Sequence, residues 1–258
     1  MILTVDIGNS NIVLGCVEEG RILFQARIVT DQIKTSDQYC AELKTMLDLY
    51  GAKIQDIEGS IVASVVPPVL NAFRTAIRKL TGKNCLVVGP GIKTGLNILI
   101  DNPANMGADL VAGDVAALHE YRPPLIVVDM GTATTISVLD KTGAHLGGCV
   151  CPGLKISMEA LTNRTALLPG ISLDKPKRVI GRNTIDAMRS GIMLGTACML
   201  DGLIARIEEE LGEKATVLLT GGIGKFVQPL CKTEIIYDGD LVIKGLWHLY
   251  RENRKLVE

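Results

Sequence analysis

The chain has 258 residues, enough for two modest domains or one large one. Its 27 basic and 28 acidic residues leave a net charge of −1, with no electrostatic footprint for nucleic acid or an anionic membrane surface. Apolar residues make up 47% and aromatic ones 3%, which predicts an aliphatic core of the kind found where helices cover a largely parallel sheet.

In chain order, Ile2-Leu3-Thr4-Val5 reads as a buried strand that ends in the turn Asp6-Ile7-Gly8-Asn9-Ser10. A second strand from Ile12 to Val17, a turn at Glu18-Glu19-Gly20 and a third strand from Arg21 to Val29 complete a meander. Helical spacing predicts helices from Ser36 to about Tyr50, with Ser36 as the cap, from Val69 to Leu80, and from Ala108 to Tyr121. Arg122-Pro123-Pro124 then marks a hinge, and the pattern starts again. Leu125-Ile126-Val127-Val128 leads into Asp129-Met130-Gly131-Thr132-Ala133-Thr134-Thr135, with further strands at Thr135–Leu139 and Ala144–Val150. A long helix from Thr184 to Leu211 follows, with a third glycine-bearing strand end at Thr220-Gly221-Gly222-Ile223-Gly224. Near the C-terminus, Leu246, Trp247 and Leu249 fit the core face of a last helix, and Arg251 to Lys255 its solvated end. The repeated opening predicts a structural duplication, too long in period for a solenoid.

The repeated turns carry the candidate chemistry. A carboxylate at a strand end, such as Asp6, can hold a hydrated Mg²⁺, and Gly8 leaves room for phosphate oxygens to reach backbone N–H groups. Asn9 and Ser10 add neutral donors, while Gly131 to Thr135 offer backbone groups and hydroxyls to a second set of phosphate oxygens. A single Asp-x-Gly turn is common; an ordered trio of glycine turns is specific for a nucleotide clamped by two halves. His119, His145 and His248 stand isolated in sequence and read as structural or surface residues. The seven cysteines lack framework spacing and read as reduced thiols, and Cys149-x-Cys151 with His145 falls short of a zinc set. Asp6 interrupts any signal-peptide core, and no uninterrupted apolar run reaches the roughly 18 residues of a membrane span. The expectation is a soluble, cytoplasmic protein without nucleic-acid or membrane partners.

Asp6 to Ser10, Asp101-Asn102-Pro103 leading to Gly107-Ala108-Asp109, Asp129 to Thr135, Gly147 to Gly153, Thr165 to Pro169 and Ile180 to Thr184 together resemble type III pantothenate kinases. That family lies within the superfamily of acetate and sugar kinases, heat-shock 70 chaperones and actin. The resemblance implies an α/β architecture, a duplicated ribonuclease-H-like (actin-like ATPase) fold with two mixed sheets flanked by helices, divided into halves 1–121 and 122–258. It implies ATP with Mg²⁺, a monovalent cation (K⁺ or NH₄⁺), pantothenate or a similar small hydroxyl acceptor, and a homodimer. The reaction implied is phosphorylation of pantothenate to 4′-phosphopantothenate, the first step towards coenzyme A. Residue by residue, Asp109 matches the general base, and Asp6, Ile7, Gly8, Asn9, Ser10, Asn11, Ile12 and Val13 match the first ATP loop, with Asp6 on Mg²⁺ through water. Thr132 matches a further ATP contact and Asp129 the monovalent-cation ligand. Ile100, Gly107, Ala108, Leu110 and Thr184 fall on acceptor-binding positions.

The acceptor side departs from the family. Its Gly-x-Asp-Arg motif reads Gly107-Ala108-Asp109-Leu110 here, Ile100 stands where tyrosine is usual, and Leu167 and Gly170 stand where basic residues often occur. An arginine fork is the natural partner of pantothenate's carboxylate, and leucine cannot replace it. The alternative is therefore a paralogue that binds ATP but takes another acceptor or does not turn over, with Arg164 and Arg182 as candidate replacements for the missing cation.

Overall fold

The computed structural model describes residues 1–256 and contains two five-stranded mixed sheets with the same connectivity. In the first, β1 (Ile2–Ile7), β2 (Asn11–Glu18) and β3 (Arg21–Val29) form the antiparallel meander, and β4 (Gly59–Ser64) and β5 (Leu86–Val87) add in parallel on the other side of β1. In the second, β6 (Leu125–Met130), β7 (Ala133–Leu139) and β8 (His145–Pro152) repeat the meander, and β9 (Thr216–Thr220) and β10 (Ile236–Tyr237) repeat the parallel side. The duplication extends to register. Asp6 pairs with Val13 and Ala63, and Asp129 with Thr135 and Thr220, so each carboxylate stands at the end of a central strand flanked by one antiparallel and one parallel neighbour.

Helices α1 (Ser36–Leu49) and α2 (Pro67–Thr81) cover one face of the first sheet, where Tyr39, Leu43, Leu47, Phe73 and Ile77 meet Leu3, Val5, Ile7 and Leu14. The cap of α1 is Thr35, one residue before the expected Ser36. Its hydroxyl accepts from the Gln38 N–H while the Gln38 side chain accepts from the Thr35 N–H, a reciprocal box that satisfies two orphan donors. Helix α2 starts two residues earlier than the apolar spacing suggests, because Pro67 and Pro68 occupy its first turn, where no backbone N–H is required.

The other face of the first sheet is covered by α3 (Ala108–Glu120) and α7 (Leu241–Asn253), which bury Val111, Ala112, Val115, Ile243, Leu246 and Leu249 over Ile2, Val17 and Ile61. The last helix thus belongs with the first unit, Met1–Leu96, Asp101–His119 and 240–258, whereas the expected division kept it with 122–258. The reason is close packing. A Cβ on Gly245 would fall inside the van der Waals radius of the Ala112 carbonyl oxygen, and one on Gly15 would strike Ile243. Trp247, expected in the core, is only half-buried beside the β2–β3 turn, against Gly20. His119 and His248 also depart from expectation: they stack in parallel with ring centroids 4.0 Å apart.

In the second unit, Asn97–Ile100 and Glu120–Gly239, α4 (Leu154–Arg164), α5 (Thr184–Leu211) and the short α6 (Gly224–Val227) pack on one face of the sheet. By length and composition α5 could cross a membrane, since its apolar window tolerates the glycines and threonine that break an uninterrupted run. It sends Met193, Ala197, Leu200 and Ile204 into the core with Ile126, Val128 and Leu219. Cys149 and Cys151 lie on β8 but are half-buried, because β8 is the outer strand of its sheet. All seven cysteines are free thiols.

The packing of α7 on α3 yields a stability prediction. Gly245→Ala forces backbone apart in a close-packed layer and should cost about 1–3 kcal/mol in urea unfolding, the usual range for overpacking. A variant as stable as the parent would contradict the assigned contact.

Candidate active site

The first unit contributes the loop after β1. Asp6 is half-buried at the strand end, and the Gly8 N–H donates to the Asn11 carbonyl (3.0 Å), closing a tight turn that leaves Asn9 and Ser10 exposed. Thr30, at the end of β3, fastens that turn: its hydroxyl donates to the Gly8 carbonyl (2.6 Å) and its N–H to the Ser10 carbonyl (3.1 Å). Nothing in the sequence singled out Thr30, because its role depends on the β2–β3 register that returns the chain beside the loop. Asn11, Ile12 and Val13 open β2, with Ile12 buried and Asn11 and Val13 half-buried.

The second unit repeats the arrangement. The Gly131 N–H donates to the Ala133 carbonyl (3.0 Å), and Thr132 is exposed at the tip. Two glycines the chain brings alongside fix this loop. A Cβ on Gly153 would collide with the Thr132 carbonyl. Gly221, at the left-handed φ of 90°, lies so close that a Cβ there would meet the Met130 carbonyl at 2.5 Å and the Asp129 carboxylate at 2.9 Å. The second and third glycine turns are therefore neighbours, side by side at the ends of β6 and β9. Tyr237 adds a hydroxyl that donates to the Gly221 carbonyl (3.2 Å), a contact the sequence did not signal.

The residues expected at acceptor positions divide between the units. Asp101-Asn102-Pro103 makes a short 3-10 turn in which the Asn102 side chain accepts from the Ala104 N–H (3.2 Å). The chain then enters α3, where the Val111 N–H donates to the Gly107 carbonyl (3.0 Å). Asp109 sits half-buried in the first turn, its Oδ1 accepting from the Leu110 N–H (2.9 Å) and folding over Gly107, where a Cβ would meet it at 2.5 Å. Ala108 and Leu110 flank it, both half-buried. Ile100 belongs to the second unit, and a Cβ on Gly147 would touch its side chain at 3.7 Å.

Thr184 is the exposed first residue of α5, behind a reciprocal cap in which Asn183 accepts from the Asp186 N–H (2.8 Å) and donates to its carboxylate (2.8 Å). The 165–183 segment before it has no regular secondary structure. It is held to α5 by Arg189, which donates to Ser172 (3.0 Å) and pairs with Asp174 (3.6 Å), and by the Ser190 hydroxyl, which donates to the Val179 carbonyl (2.5 Å). Arg189 is thus engaged, whereas Arg164 and Arg182 are exposed and make no ion pair among the described residues.

Taken together, each unit offers a strand-end carboxylate beside a turn with open backbone, a setting suited to phosphate oxygens and their cations. Gly153 and Gly221 let the chain close up around the second loop, since a side chain at either position would strike the Thr132 or Met130 carbonyl. Solved structures share the fold. A Campylobacter jejuni protein described as a Baf family transcriptional activator aligns over 98% of this chain and 99% of its own, with TM-score 0.62 and 20% identity. The activator of 2-hydroxyisocaproyl-CoA dehydratase from Clostridium difficile, solved with bound ADPNP, covers 100% and 98% at TM-score 0.58 and 15% identity. A Sinorhizobium meliloti protein described as a 2-dehydro-3-deoxygalactonokinase covers 100% and 98% at TM-score 0.59 and 16% identity. These likenesses establish the actin-like ATPase fold. The profile of type III pantothenate kinase matches residues 2–206, and the chain belongs to that family of ATP-dependent kinases.

Proposed function

We propose that this kinase transfers the γ-phosphoryl group of ATP to the primary hydroxyl of pantothenate, with Asp109 as the general base. The observation that carries the reading is Asp109 itself: a half-buried carboxylate in the first turn of α3, preceded by Gly107 and by the capped Asn102 turn, in a chain matched by the family profile from residue 2 to 206. Phosphoryl transfer needs little covalent chemistry from the protein, so its residues act mainly by positioning and by balancing charge. The loop from Asp6 to Val13 and Thr132 would orient the phosphates through backbone N–H groups and hydroxyls. Asp6 would hold Mg²⁺ through water, and Asp129 a potassium or ammonium ion. The bound cations supply charge neutralisation on the phosphates. Asp109 accepts the proton of the acceptor hydroxyl at a carboxylate oxygen as that oxygen attacks phosphorus, while Gly107, Ala108, Leu110, Ile100 and Thr184 bound the acceptor.

The second unit leaves Val150, Leu167, Val179 and Ile180 each more than 70% exposed, an apolar set that a second copy would cover. A homodimer is the proposed assembly, and a monomer mass by light scattering would remove it. A second reading rests on Leu110. Without a guanidinium beside Asp109, carboxylate recognition is left to residues such as Arg164 and Arg182, or the acceptor is a different hydroxyl compound.

Two variants test these readings. Asp109→Asn keeps shape and removes the base, so kcat should fall by about 10²–10⁴-fold with little change in the KM for ATP, measured in a coupled ADP-release assay. A rate within a few-fold of the parent would remove Asp109 from the chemistry. Leu110→Arg restores the cation and should lower the apparent KM for pantothenate by roughly tenfold, the worth of one charge-assisted hydrogen bond. An unchanged KM in an active enzyme would show that another group already binds the carboxylate.

A further inference from the structure

The first unit has a cavity at the opposite end of β1 from Asp6. Ile2 lines it and precedes Asp6 by four residue steps along β1, which places the two ends about 13 Å apart. Its volume is about 700 Å³, within the range of small-molecule sites. One wall is the end of α7, with Trp247, Tyr250 and Arg251, continued by Arg254. Lys83, Asn84 and Glu58 also line the cavity. None of these residues takes part in the reaction proposed above.

The aromatic wall is built into the fold. The Trp247 ring lies against Gly20, where a Cβ would meet it at 3.0 Å, and the Tyr250 hydroxyl occupies the space that a side chain at Gly59 would take. Asn253 fixes the helix end: its side chain accepts from the Lys93 N–H (2.8 Å) and donates to the Lys93 and Leu249 carbonyls (2.8 Å each). The Arg251 guanidinium lies 4.9 Å from the centre of the Trp247 ring, which orients it and leaves its edge for an anion.

The charge balance is positive. Glu58 faces the cavity, but its carboxylate is bonded to the Met1 ammonium (2.6 Å), a contact that also holds it below the usual carboxylate range. Lys83 donates to the Ile57 and Glu58 carbonyls. Arg251 and Arg254 are exposed, and Glu19 is the remaining acid. Asn84 also lines an adjoining hollow of about 200 Å³ that carries Arg74 and Arg78 and no acid. Asn84 is thus common to two hollows that together carry five cations, on a chain whose net charge is −1.

We propose that this cavity is a second binding site, for a phosphorylated small molecule of nucleotide size, with its phosphate groups on Arg251 and Arg254 and its apolar part against Trp247 and Tyr250. Planar guanidinium forks suit phosphate oxygens, and the paired hollows give room for more than one phosphate. The proposal is independent of the acceptor assigned to the kinase.

Trp247 is the single tryptophan of the chain, so its fluorescence reports on this cavity. Inorganic pyrophosphate, titrated without Mg²⁺, should give a saturable change in emission. Arg254→Ala, at an exposed position without a side-chain ion pair among the described residues, should weaken that binding at least tenfold and leave the basal kinase rate unchanged. Arg78→Ala, on the exposed face of α2, provides a second variant with an expected loss of several-fold. No saturable change, or one that Arg254→Ala leaves untouched, would overturn the proposal. So would a response to ADP with none to pyrophosphate, which would mean that the cavity reads the nucleoside instead of the phosphate.

Discussion

The structure depends on one repeated constraint: a central strand that pairs antiparallel on one side and parallel on the other, and ends in a carboxylate beside glycine. In the first sheet this is β1 between β2 and β4, and in the second β6 between β7 and β9. Parallel pairing needs a crossover, so each unit must return its chain across a face of the sheet, and the helices that cover the sheet follow from that requirement. Where the strands end, backbone groups lose their ladder partners, and ligands of open α/β sheets commonly bind there. Asp6 and Asp129 occupy this position with equivalent strand pairing, which explains why a small repeated motif can organise so much of the chain.

The parts of this arrangement that were legible in the sequence are those set by local chemistry. The two meanders, the three glycine turns and the bounds of α5 follow from β-branched runs, Asp-x-Gly turns and helical spacing, each readable within a few residues. The partner strands were harder. β5 and β10 are two residues long, and their place in the sheet is decided by neighbours distant in sequence. The home of α7 was not legible at all, because it rests on the contact between Gly245 and the Ala112 carbonyl, and a glycine in a helix does not announce its neighbour. The same holds for Thr30 and Tyr237, whose hydroxyls fasten the two loops only once the sheets have formed. Stacking of His119 on His248 likewise needs α3 and α7 to be adjacent.

The site shows an asymmetry between its two sides. The loops suited to phosphate are built from backbone and glycine, so their geometry is tied to the fold and tolerates little change. The residues proposed to recognise the acceptor, Leu110, Ile100 and Thr184, stand at a helix start, beside a glycine and at another helix start, where substitution need not disturb the sheets. A kinase scaffold of this type can therefore keep its nucleotide chemistry while its acceptor contacts diverge, and Leu110 is the position at which the proposed reading expects such a change. Function of that kind is read from the site and not from the fold.

The central claim is phosphoryl transfer to pantothenate, and one measurement tests it most directly. The wild-type protein is incubated with Mg²⁺-ATP and pantothenate, in potassium and separately in sodium, and the products are identified by mass spectrometry. The account predicts 4′-phosphopantothenate and ADP in equal amounts, formed faster in potassium. ATP turnover without phosphorylated pantothenate, or no turnover in either salt, would contradict it.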